Sequence, residues 1–163
     1  MLVSALADAV PDHVVLEEPY HALEAIGHTF ANPPGVEDFE AQLELSIESV
    51  QNTGADVIFD RCPADFLAYL AEKASPDAMA SYWTRAERAM ALLDLVIYVP
   101  VERPDRIHVP GDEFPSLRKR VDRRLRQFLR EGELLPSART REVLGSVPER
   151  VRSVLVAIES SKA

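Results

Sequence analysis

The stretch Asp56-Val57-Ile58-Phe59-Asp60-Arg61-Cys62-Pro63-Ala64-Asp65-Phe66-Leu67 decides the fold class. Its apolar core, Val57 to Phe59, is short, continuous and bounded by acids, as in a strand buried on both faces. Pro63 suits the first turn of a helix, and Phe66, Leu67 and Leu70 then recur at helical spacing. A strand that feeds a helix within a few residues is the repeating unit of an α/β fold.

The same alternation appears on both sides. Upstream, Leu2, Leu6, Ala9 and Val10 are spaced as a helix, and nothing before them supplies a cap, turn or strand, so the chain is expected to start inside that helix. Val14-Val15-Leu16 reads as a short buried strand that ends in Glu17-Glu18-Pro19, because proline cannot continue a central ladder. A loop containing Asn32-Pro33-Pro34-Gly35 leads to a long helix striped by Val36, Phe39, Leu43, Ile47 and Val50, with an acidic opposite face.

Downstream, Met79, Trp83, Ala86, Met90 and Leu93 mark the buried stripe of another helix, and Leu95 to Val99 forms a third strand closed by Pro100. Glu102 to Ser116 carries prolines at 104, 110 and 115 without periodicity and reads as a mobile loop. A basic helix follows with Leu117, Val121, Leu125, Phe128 and Leu129 on its apolar side. Arg141 to Leu144 makes a final strand, Gly145 to Pro148 a turn, and Arg150 to Ile158 a closing helix. The expected architecture is α/β, with a mostly parallel sheet flanked by helices in one domain over residues 1–163.

Length and composition fit that reading. A chain of 163 residues with 47% hydrophobic residues sustains one core. Its longest apolar runs are far too short for a bilayer, and Asp8 and Asp12 stand where a signal peptide would be basic, so a soluble cytoplasmic protein is expected. The single cysteine, Cys62, cannot form an internal disulfide and reads as a small buried filler. His13, His21, His28 and His108 lack zinc spacing.

The net charge of −9 is unevenly spread. Residues 1 to 80 hold fifteen acids against two bases, and residues 81 to 163 hold sixteen bases against twelve acids, or −13 against +4. The bases concentrate at Arg118, Lys119, Arg120, Arg123, Arg124, Arg126 and Arg130, with Asp122 the one interior acid. Such a helix is either a solvated face or a seat for an anion. Nucleic acid is disfavoured, because the overall charge is negative and no aromatic residues interleave with the arginines.

In open parallel sheets ligands sit beyond the carboxyl ends of the strands. Here those ends carry Glu17-Glu18-Pro19-Tyr20, Asp60-Arg61-Cys62-Pro63-Ala64-Asp65 and Glu102-Arg103-Pro104-Asp105-Arg106. Carboxylates and arginines on one edge suit a phosphate chemistry in which a hydroxyl must be oriented or deprotonated.

In their order and spacing, these motifs resemble those of the small P-loop kinases of the nucleoside and nucleotide kinase type, among the bacterial AAA-family ATPase-like proteins. Glu18-Pro19 is similar to the Glu-Pro pair whose glutamate contacts the substrate hydroxyl in deoxynucleoside kinases, and Asp60-Arg61-Cys62 to their acid-Arg-Ser triplet. Pro100 to Arg106 with the helix from Arg118 resembles the arginine-bearing lid, which would span residues 102–130. The resemblance implies ATP and Mg²⁺ as cofactors and phosphoryl transfer to a small hydroxyl- or phosphate-bearing substrate. It implies Glu18 as the group that orients or deprotonates the acceptor, and Asp60 near the magnesium or the acceptor. Arg61 would hold the substrate, and Arg103, Arg106, Arg118 and Arg120 would be phosphate or lid cations. A homo-oligomer is compatible with it.

One departure dominates. Such kinases place a strand and a Gly-x-x-x-x-Gly-Lys-Ser/Thr loop directly before a helix like the one at Leu2 to Val10, and these 163 residues contain no Gly-Lys pair. The expected fold is therefore a three-layer kinase-like sandwich that lacks its first strand and Walker A loop, with ATP binding compromised. The alternative expectation is a non-catalytic, P-loop-derived scaffold that binds a protein or anionic partner through the basic helix.

Overall fold

A computed structural model describes residues 1–101 and 115–161, excluding the side chain of Pro115. In chain order they form α1 (Leu2–Ala9), β1 (Val14–Leu16), α2 (Pro19–Ala25), α3 (Val36–Asn52), β2 (Val57–Phe59), α4 (Pro63–Lys73) and α5 (Pro76–Met90). There follow β3 (Val96–Tyr98), α6 (Pro115–Leu125) continued by a π turn (Arg126–Arg130), a short 3₁₀ turn, β4 (Thr140–Glu142) and α7 (Val147–Ser161). The chain is mixed α/β and mostly helical. The expected Glu102 to Ser116 loop, with Arg103 and Arg106, lies almost wholly outside the described residues.

Local chemistry accounts for the helix starts. Asp38 and Asp65, each at the third helical position, accept the backbone N–H of Gly35 and Cys62 at 2.9 Å, closing the first turns of α3 and α4. Pro63 and Pro76 occupy first turns whose N–H groups would be unbonded anyway. At the end of α2, Gly27 adopts φ +94, so that its N–H reaches the Glu24 carbonyl and that of His28 reaches the Leu23 carbonyl. This left-handed helix end favours glycine.

The core is built around α4, which packs against α3, α5 and α6. Phe66, Leu67 and Leu70 are fully buried with Leu43 of α3 and Met90 of α5, and Phe128 and Leu129 from the π turn join them. A second, smaller cluster joins Leu6, Val143 and Val154 with Ile58 of β2 and Ile97 of β3, under α1 and α7.

The strands depart from the expected single sheet. Among the described residues β1 pairs in parallel with β2 and β3 in parallel with β4, as two separate two-stranded sheets. Three-residue strands, each hydrogen-bonded along one edge, leave most of the burial to helices. For the same reason β1 is not the buried strand expected: Val14 is 59% and Val15 36% exposed. β4 begins one residue earlier than expected and ends at Glu142, because its register is set by Val96–Thr140 and Tyr98–Glu142 pairing, which leaves Leu144 outside the ladder and exposed. The short helix α2 was not anticipated. On α5 the deepest face is Tyr82, Ala86, Ala89 and Met90, with Met79 and Trp83 half-buried at its margin. Among the described residues no helix is long and apolar enough to cross a membrane.

Candidate functional site

The ends of β1 and β2 meet. The Asp60 N–H donates to the Leu16 carbonyl at 3.0 Å, extending the ladder one step beyond Phe59. The next residue, Arg61, takes φ +73, in the left-handed region that non-glycine residues seldom occupy. Such backbone strain is concentrated at functional positions. At this bend the Arg61 Nε lies 2.6 Å from Glu18 Oε1, a charge-assisted contact between the ends of two strands.

The two side chains face a cleft of about 170 Å³. Tyr20 from α2, Phe39 and Gln42 from α3, Tyr69 from α4 and Arg118 from α6 also line it. Phe39 and Tyr69 stack nearly coplanar, with ring centroids 4.4 Å apart and 7° between their planes, and the Lys73 ammonium lies 5.9 Å from the Phe39 ring centre. The cleft therefore offers flat aromatic surface beside one carboxylate and several cations, a combination that suits a ring-bearing ligand with a hydroxyl or anionic group.

Burial and the neighbouring Arg61 charge act on Glu18 in opposite directions. Burial pushes its carboxyl above the ordinary glutamate value, Arg61 pulls it down, and Asp60 contributes to the upward side. Burial works against the Arg61 charge, but Asp65, Glu18 and Tyr69 outweigh it and hold the guanidinium ionised. Cys62 is half-buried at the edge of the core, not the buried filler expected, and burial pushes its thiol well up, away from nucleophile behaviour.

Glu18 and Arg61 are thus brought together, with Asp60 next to Arg61 in the chain and its charge felt by Glu18. Arg118 joins the cleft wall. Arg120 is directed elsewhere: its Nε donates to Glu72 Oε2 at 2.8 Å, and Arg124 Nε to Glu72 Oε1 at 2.9 Å. Among the described residues no three His, Cys, Asp or Glu side chains converge as metal ligands. Mg²⁺ needs no such cluster, because it is commonly held by one or two carboxylates plus substrate phosphates and water.

Sequence reasoning missed Gln42, Tyr69 and Asp38. A signal existed in α3, where Asp38, Gln42 and Ser46 follow one another at intervals of four and are all buried. That polar row runs beside the apolar stripe and marks a helix face turned to something other than hydrocarbon. The chain was compared with family models, with curated proteins and with solved structures, and none matched.

Proposed function

We propose that the cleft at Glu18 and Arg61 is the acceptor site of a phosphoryl-transfer domain of the nucleoside and nucleotide kinase-like type. It would take a small ring compound bearing a hydroxyl or phosphate. The observation that carries the reading is the Glu18–Arg61 contact at the joined ends of two parallel strands, over an aromatic cleft. Glu18 orients the acceptor hydroxyl and takes its proton, while Arg61 holds the acceptor beside it. Arg118, which also lines the cleft, supplies positive charge for the transferring group. ATP would be the phosphoryl donor when bound, and Asp60 would hold its Mg²⁺. Arg103 and Arg106 are the remaining lid cations of this reading; Arg120, which the resemblance also assigns to the lid, is engaged by Glu72.

The split of the sheet also supports it. Among the described residues β2 and β3 each pair along one edge only, yet Ile58 and Ile97, at their midpoints, pack into the same small cluster. A three-layer sandwich with a further strand between them would use both edges. Triphosphate cradling of this type needs backbone amides at a helix N-terminus and a lysine, and residues 1 to 163 hold no Gly-Lys pair to provide them. The scaffold alternative draws less support, because Arg120 and Arg124 are engaged by Glu72, and Arg130 lies 3.4 Å from Glu142.

Calorimetric titration separates the two halves of the reading. Adenosine or thymidine is expected to bind this chain, and Arg61→Ala and Glu18→Gln are expected to weaken that binding. Equal binding by both variants, or none by the parent chain, overturns the acceptor site. Mg-ATP is expected to show no micromolar binding, and micromolar affinity would place a phosphate site elsewhere in the molecule.

A further inference from the structure

One wall of the cleft is not a regular element but the ten residues between α2 and α3, of which Pro33 and Pro34 face the cavity. A loop with so many exposed positions needs an anchor to hold a fixed shape. That anchor is one carboxylate. Asp38 Oδ1 lies 3.1 Å from His28 Nε2, and Asp38 Oδ2 accepts the N–H of Ala31 at 3.2 Å and of Gly35 at 2.9 Å. The start, middle and end of the loop are tied to the same side chain, which is only 6% exposed.

The tie continues into the cleft. His28 lies against Phe30, with ring centroids 4.5 Å apart, and Phe30 stacks on Tyr20 at 4.2 Å with 23° between the planes. Tyr20 lines the cavity two residues after Glu18. The left-handed helix end at Gly27 delivers His28 to the start of this column.

We infer that Asp38 is a positioning residue for the cleft: through His28, Phe30 and Tyr20 it sets the ring that faces the acceptor, and through Ala31 and Gly35 it sets the Pro33-Pro34 wall. The inference rests on the acceptor-site reading for its functional meaning, while its structural core stands on the hydrogen bonds and ring contacts alone. The Asp38 carboxyl behaves accordingly. Burial alone would raise it, but the Gly35 N–H, His28 and the Ala31 N–H together hold it below the ordinary aspartate range, so it stays charged and keeps its donors. An asparagine in its place has one acceptor oxygen where the carboxylate has two, and its NH₂ would face a donor.

The test uses the full chain with ¹³C-labelled tyrosine, and Tyr20→Phe assigns the Tyr20 ring signal among the four tyrosines. In Asp38→Asn the Tyr20 signal is expected to shift while those of Tyr82 and Tyr98, buried elsewhere in the core, hold still. Adenosine or thymidine binding is expected to weaken about tenfold, the equivalent of roughly 1.4 kcal/mol. His28→Leu should reproduce the shift, and His28→Gln, which keeps a donor toward Asp38, should largely reverse it. A Tyr20 signal unmoved in both Asp38→Asn and His28→Leu overturns the inference, as does a shift shared equally by all the tyrosines, which would mark a general loss of structure. If Asp38→Asn does not fold, the His28 pair decides alone. If neither nucleoside binds the parent chain, the acceptor reading falls while the tyrosine signals still decide the role of Asp38.

Discussion

The two strand pairs are alike in length and parallel pairing and opposite in construction. β1 and β2 are half-buried or exposed; Glu18 lies two residues beyond β1, and Arg61, in the left-handed region, two residues beyond β2. In the other pair Val96, Tyr98 and Thr140 are 6% exposed or less, and the end of β3 is tied inward: the Tyr98 hydroxyl donates to Asp122 Oδ1 at 2.8 Å, and the Val101 N–H reaches the same oxygen at 3.2 Å. The single acid of the basic helix is thus spent on anchoring that helix to β3. Burial and the Asp122 carboxylate push the Tyr98 phenol far up, so the hydroxyl keeps its proton as the donor of this contact. One pair presents polar strand ends to a cleft, and the other holds the framework that carries Arg118. The exposed polar strand ends and the buried framework lie in different halves, and α4, packed between α3 and α6, couples them.

The coupling can be broken at α4. Leu67 is completely buried. Leu67→Ala is expected to cost about 2–5 kcal/mol, and chemical denaturation should show one cooperative transition moving as a whole. Two transitions, one of them unmoved, would mean that the halves fold independently.

Tyr98→Phe sharpens the contrast by removing only the hydroxyl, leaving Asp122 with the Val101 N–H. A loss of about 1–3 kcal/mol is expected, with nucleoside binding in the cleft changed less than twofold unless Arg118 is displaced with the helix. An unchanged denaturation midpoint would show that Asp122 does not anchor α6.

Glu72 is the second anchor of that helix, through Arg120 and Arg124. Burial alone would raise the Glu72 carboxyl, and the two arginines outweigh it and hold it below the ordinary glutamate value. Its contribution is therefore fully present above the unfolded value near pH 4.5 and is lost as pH falls through the lower folded value. Both arginines are nearly half exposed, so Glu72→Gln should cost no more than about 1 kcal/mol at neutral pH. Melting temperatures measured from pH 7 to pH 3 should show a gap between variant and parent that closes at the acid end; a gap that persists there would assign the loss to packing. The smallest effect belongs to β1, where Val14→Thr should stay within about 0.5 kcal/mol because Val14 is 59% exposed. A larger loss there would mean that this strand face is covered by something.

Much of the fold was legible in the residues. The helices of Phe39, Phe66 and Val121 and the strands at Val14, Val57 and Val96 follow from periodicities that need only a few neighbouring residues, as does the placing of Glu18 and Arg61 at strand ends. What the chain order could not convey is which ends meet and which charges are already used. Glu18 and Arg61 touch across 43 positions, Tyr98 and Asp122 across 24, and Arg124 and Glu72 across 52. Periodicity carries no information at such separations. The division into two strand pairs, the capture of Arg120 by Glu72 and the use of Asp38 as the anchor of a cleft wall were decided by the tertiary structure, because each depends on which distant donor and acceptor burial brings within hydrogen-bonding reach.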